Sequence, residues 1–221
     1  MIGVSRLTTI LITFLIGATV VMTQTAAAAP DAASNPQIDP RVRTFLADHS
    51  SPFFWELLPG AQVRALSADL QAKTPVDLSG VTIAEKAITE HGRNIKLYIV
   101  KPEKPEATLP VFMFFHGGVG IAGNFENQRF VRDLVVASGA AAVFVEYTPI
   151  PDAVYPTQIE ENYAATAWVA SHGAEIGVDA TRLAVAGDSV GGNMAAVIAL
   201  MARDFSCAAG DPSGSWADSG H

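Results

Sequence analysis

The residue pattern predicts an α/β fold, a doubly wound and mostly parallel sheet with helices on both faces. Three observations carry that expectation. Between residues 81 and 203, apolar runs of strand length alternate with segments of helical period. One run, residues 183–186, passes through Gly187-Asp188-Ser189-Val190-Gly191 into an Ala-, Met-, Ile- and Leu-rich stretch from Asn193 onward. Another, residues 111–115, runs directly into His116-Gly117-Gly118.

Residues 1–29 read as an export signal. Arg6 supplies the positive start, residues 7–22 the apolar run, and residues 25–29 small-residue cleavage options. The run contains threonines and falls short of the about 20 residues a membrane span requires. Cleavage is therefore expected, leaving a periplasmic or secreted protein without a stable membrane span. Cys207 is the single cysteine, which excludes an internal disulfide even in an oxidising compartment.

Residues 30–80 read as a linker followed by N-terminal helices. The first eleven positions are rich in Pro, Ala, Asn and Asp, and residues 41–46 and 53–73 have helical character broken at Pro52 and Pro59-Gly60. Phe53, Phe54 and Trp55 read as packing residues. Residues 81–89 and 94–100 form a hairpin through Glu90-His91-Gly92-Arg93. A Pro/Glu/Lys loop then leads to the 111–115 strand. Residues 127–138 are helical, with Phe130, Val131, Leu134 and Val135 at helical spacing, and residues 140–147 form a second buried strand. After a proline-punctuated loop, residues 158–172 form a long helix with Ile159, Tyr163, Ala167 and Val169 facing inward. His91 in the turn and His172 at a helix end read as structural.

Composition narrows the function classes. The 221 residues carry a net charge of −8 with only 16% charged side chains, and no basic stripe appears, which argues against a nucleic-acid partner. The histidines lack metal-ligand spacing, and the glycine motif lacks a phosphate-binding lysine. No metal or cofactor is implied.

The two glycine motifs carry the chemistry. A strand that turns at once into a helix holds its middle residue, Ser189, out at the carboxyl end of a sheet. Gly187 and Gly191 let neighbouring backbone approach. Glycine-loop N–H groups after a neighbouring strand can stabilise the oxyanion of an acyl transfer. Together these motifs resemble the α/β-hydrolase superfamily, and within it the hormone-sensitive-lipase-like esterases, marked by an HGGG loop and a GDSAGGN elbow. The resemblance covers residues 81–203. It implies a carboxylic-ester hydrolase acting through an acyl-enzyme on small esters, with Ser189 as nucleophile and Gly117, Gly118 and Val190 as oxyanion donors. His116, Asp188, Gly187 and Gly191 complete the motifs, and residues 30–80 would contribute to a cap. Val119 stands where the branch has its third glycine, and Val190 where it has alanine.

A serine hydrolase of this superfamily places its acid and then its base after the nucleophile. Ser189, Asp211 or Asp218, and His221 satisfy that order formally. Residues 205–221, however, are small, polar and Gly/Ser-rich, and read as an unstructured tail outside the family pattern, unable to hold a base in place. Residues 81–204 thus read as a partial hydrolase core, interrupted in mid-domain, with an unpaired apolar edge at residues 183–186 that favours oligomers or aggregates. An esterase weakened or inactivated in this way, a non-catalytic binding module, and a fragment completed by another chain are the competing expectations.

Overall fold

The computed structural model describes residues 32–49, 58–73, 76–105, 108–126 and 128–208. The export signal, the Phe53-Phe54-Trp55 cluster, and Asp211, Asp218 and His221 lie outside them. The chain divides into two compact units, Met1–Phe54 and Trp55–His221. In the first, α1 (Pro40–His49) starts behind Asp39, whose carboxylate accepts the Arg41 N–H at 2.8 Å. An Asp cap followed by proline in the first helical position is a favoured helix start.

The second unit is built on a five-stranded sheet in the order β1-β2-β4-β3-β5. Its strands are β1 (Val81–Glu90), β2 (Arg93–Pro102), β3 (Leu109–Phe115), β4 (Ala141–Glu146) and β5 (Val178–Gly187). The helices are α2 (Gly60–Ala72), α3 (Arg129–Ser138), α4 (Thr157–His172) and α5 (Val190–Ala208). β1 and β2 form the expected antiparallel hairpin, and β2 continues antiparallel onto β4. His91 and Gly92 both have positive φ, +50° and +74°, as a two-residue turn matched to strand twist requires. β3 lies parallel to both β4 and β5.

Period-two alternation sorts the strand side chains between two cores. Val111, Met113, Phe115, Val143 and Val145 pack with Ala165, Val169, Met194 and Ile198 of α4 and α5. Phe114, Ala142 and Phe144 pack with Val131 and Val135 of α3 on the other face. Both faces being covered there, β3 and β4 are apolar through Phe115 and Val145, which is why they read as runs rather than alternations. Each fully buried large side chain contributes about 1.5–3 kcal/mol.

Two elements, α4 and α5, differ from expectation. In α4, the buried positions include Gln158, Glu161, Asn162 and Thr166 beside Trp168 and Val169, while Ile159, Tyr163 and Ala167 are half-buried. α5 begins at Val190 rather than Asn193, because the chain enters the helix immediately after Ser189. It also continues to Ala208, past the expected break at Asp204.

β5 is the edge strand of the sheet formed by the described residues, paired with β3 alone. Its pairing is shifted between Pro110 and Val111: Pro110 faces Asp179 but Val111 faces Leu183, so residues 180–182 loop out. Asp179 stitches that loop, accepting from Thr181 Oγ1 at 2.6 Å and Arg182 Nε at 2.6 Å. From Val111/Leu183 to Phe115/Gly187 the register is then unbroken. No helix among the described residues is long and apolar enough to cross a membrane.

Candidate active site

The parallel register sets Phe115 beside Gly187, so the two glycine motifs leave the same end of adjacent strands. Ser189 follows at φ +52° and is exposed. A non-glycine residue in the left-handed region is uncommon and costs of order 1–3 kcal/mol. Immediately after it α5 begins, with Gly192 and Asn193 donating to the Ser189 carbonyl at 3.0 and 3.2 Å. Val190, first in the helix, contributes one of the first-turn N–H groups that have no acceptor within the helix. Gly191 is obligatory for close approach, since a Cβ there would overlap the Phe115 carbonyl.

Asp188 ties the elbow to the glycine loop by accepting the Gly117 N–H at 2.9 Å. This corrects the expectation for Gly117, whose N–H is engaged by a carboxylate rather than open toward a substrate. The Gly117 carbonyl is engaged as well, by His116 Nδ1 at 2.8 Å. Because a carbonyl only accepts, Nδ1 carries the proton in this arrangement. The Gly117–Gly118 peptide is planar and trans, so the Gly118 N–H points away from the imidazole. That N–H makes no hydrogen bond among the described residues. Gly118 has φ +101°, and a Cβ on it would overlap the Ala122 carbonyl.

Val119 keeps the left-handed backbone that a glycine would adopt, at φ +59° with its side chain 76% exposed. A β-branched residue there is a genuine outlier. The departure from the HGGG pattern therefore leaves the loop's path intact and places strain in it.

His116 is 1% exposed, stacked on Tyr147 at 4.1 Å and on Phe144 at 5.3 Å between ring centroids. Burial holds its pKa below the usual histidine value, against the opposing pull of the Gly117 hydrogen bond and the Asp188 charge. The Tyr147 hydroxyl donates to the His116 carbonyl at 2.8 Å, and burial raises the phenol's pKa. His116 is thus an internal support of the loop.

A second support was not legible in advance. The buried Glu161 carboxylate accepts the Thr148 N–H at 2.6 Å and the Thr148 hydroxyl at 2.9 Å. Gln158 donates to the carbonyls of Thr148 and Ala153. The loop so held donates the Ile150 N–H to the Gly120 carbonyl at 2.7 Å. Gln158, Glu161 and Asn162 are buried polar residues of α4, and buried polar groups require partners.

A cleft of about 350 Å³ opens over the glycine loop, lined by Gly117, Gly118 and Asp188 together with Ser67 and Gln71 of α2 and Phe130 of α3. α2 is held in place by Arg64, which donates to the Ile150 carbonyl at 2.8 Å and pairs with Asp152 at 3.2 Å. Among the described residues, Ser189 Oγ has no hydrogen-bonded imidazole. His172 is occupied by the Trp168 carbonyl and stacks on its indole, and His91 lies in the β1–β2 turn.

A serine elbow beside a glycine nest, on a sheet wound on both faces, defines an α/β-hydrolase chain. Residues 112–212 match the α/β hydrolase fold family. The chain is similar to the esterase LipI of Mycobacterium tuberculosis, 46% identical over 47% of this chain and 32% of that protein. It is similar to the carboxylesterase NlhH of the same organism, 35% identical over 77% of this chain and 54% of that protein. A thermostable esterase from Pseudomonas putida superposes with a TM-score of 0.72 at 50% identity, covering 78% of this chain and 55% of that one. The fold is that of the α/β hydrolases, and the chain is similar to esterases of the hormone-sensitive-lipase-like branch. It spans about half the length of relatives such as NlhH.

Proposed function

We propose that this chain is the nucleophile-bearing part of a serine carboxylic-ester hydrolase. The observation that carries the proposal is Ser189, exposed at φ +52° immediately before the first turn of α5, with Gly117 and Gly118 on the adjacent strand's loop. Ser189 Oγ would attack the ester carbonyl, forming a tetrahedral intermediate whose oxyanion accepts from the Gly118 and Val190 N–H groups. Collapse would expel the alcohol and leave an acyl-serine, which water then hydrolyses. The described residues supply no base to Ser189, so turnover by this chain alone should fall several orders of magnitude below that of a complete triad.

Labelling with a fluorophosphonate tests this reading. Modification at Ser189, abolished in Ser189→Ala, supports it. Modification of any other residue, or none even with the isolated carboxyl-terminal portion of a related esterase added, sinks it. A non-catalytic binding module is the second reading, favoured by the absence of an imidazole on Ser189 among the described residues. Labelling restored by the added portion would discriminate against that module and support a fragment completed in trans. We also infer export through residues 1–29, testable by amino-terminal sequencing of the protein recovered outside the cytoplasm.

A further inference from the structure

The roof of the cleft is polar. Arg64, Ser67 and Gln71 lie at i, i+3 and i+7, one face of α2, and two of them, Ser67 and Gln71, line the cleft over the glycine loop. Arg64 is consumed in holding the 150–152 loop. The side chains of Ser67 and Gln71 are half-buried and make no hydrogen bond to another described residue. Half-buried donors and acceptors without partners are costly beside an alkyl group and favourable beside a group that can pair with them. Gln128, also on the wall, is occupied by the Asn124 carbonyl at 2.8 Å. The carboxylate of Asp188 lines the same space, which disfavours an anionic substituent. The volume, about 350 Å³, lies at the small end of ligand sites.

We propose that the ester bound here is small and carries a neutral hydrogen-bonding substituent, a hydroxyl, ether or amide, on the part that lies against Ser67 and Gln71. Long alkyl esters are disfavoured by the same two groups. The inference rests on the serine-esterase reading for its orientation, and names the substrate class of that site. A site built to hydrogen-bond a substrate group discriminates more sharply against its absence than an apolar pocket does against an added group.

The test compares p-nitrophenyl methoxyacetate with p-nitrophenyl butyrate, in which an ether oxygen replaces one methylene. Cleavage of each is measured for the full chain and for the double variant Ser67→Ala/Gln71→Leu. Intrinsic ester reactivity cancels in the ratio of ratios. The expected result is a preference for the methoxyacetate at least tenfold greater in the unaltered chain than in the variant. Equal preferences overturn the inference while leaving the esterase reading intact. If cleavage is absent even with the carboxyl-terminal portion of a related esterase added, or survives Ser189→Ala, the esterase reading fails. The cleft is then decided by ligand-observed NMR binding of ethyl methoxyacetate against ethyl butyrate. Selective binding of the former, lost in the double variant, supports the inference, and indifference overturns it.

Discussion

The Asp188 carboxylate accepts the Gly117 N–H across 2.9 Å, joining the nucleophile elbow to the glycine loop 71 positions upstream. The bond makes two turns on neighbouring strands into one rigid piece. Asp188→Ala removes the acceptor and should cost about 1 kcal/mol, the usual net value of one hydrogen bond at a partly exposed site. Asp188→Asn keeps an oxygen in place and should cost less. Urea denaturation of the three proteins checks the order, and equal midpoints would deny the bond a role.

Ser189 sits at φ +52°, where glycine is at ease and alanine is not. Ser189→Gly should therefore be more stable than Ser189→Ala by about 1 kcal/mol. Both should lose fluorophosphonate labelling. Thermal unfolding compares the two, and an Ala variant as stable as Gly would argue against a strained elbow.

Val119 has the same conformation with a bulkier side chain. Val119→Gly should relieve about 1–2 kcal/mol of backbone strain. The greater freedom of glycine in the unfolded chain offsets about 0.4–1 kcal/mol of that gain. A net stabilisation of about 0.5–1 kcal/mol is expected in denaturant titration, and a loss would mean that the exposed valine is not strained.

His116 gives the stability a pH dependence. Its folded pKa lies below the ordinary histidine value of about 6.5, with burial as the main cause. The unfolded chain therefore takes up the proton first as pH falls. The contribution is fully present above about pH 6.5 and is lost as pH falls toward the folded value. Glu146, raised by burial, acts in the opposite sense: its contribution is present below the ordinary carboxyl range and lost as pH rises through its folded pKa. Comparison with His116→Gln isolates the histidine, whose replacement should flatten the melting temperature against pH below 6.5. An NMR titration of the ring in the unaltered protein gives the same answer independently, and a midpoint at or above 6.5 would refute it.

β5 presents Leu183 to Gly187 to no further strand among the described residues. An open apolar edge recruits other chains. The 221-residue chain is expected to associate in a concentration-dependent way in analytical ultracentrifugation, whereas a monomer across the whole range would contradict this.

The layered fold was legible because buried strands and the two glycine motifs are local in sequence. Leu183-Ala184-Val185-Ala186 announces a strand whatever pairs with it, and Gly187 to Gly191 prescribes a turn. What stayed hidden was long-range. Nothing near Glu161 reveals that its carboxylate holds Thr148, and nothing in His-Gly-Gly states that Gly117 gives its N–H to Asp188. The helical course of Phe205 to Ala208 is not legible because residues 205–221 taken together are Gly/Ser-rich, while the preceding turns of α5 carry the helix onward. Nothing in residues 60–72 states that Ser67 and Gln71 line a cleft over the glycine loop.

The looped-out residues 180–182 lie upstream of the continuous β3–β5 register, at the opposite end of the strand from Ser189. Length differences entering the chain there would be absorbed before the ladder begins and would leave the serine's alignment with the neighbouring loop unchanged. That makes the loop the place to splice in a peptide tag or a fluorophore attachment site without disturbing the chemistry at the far end.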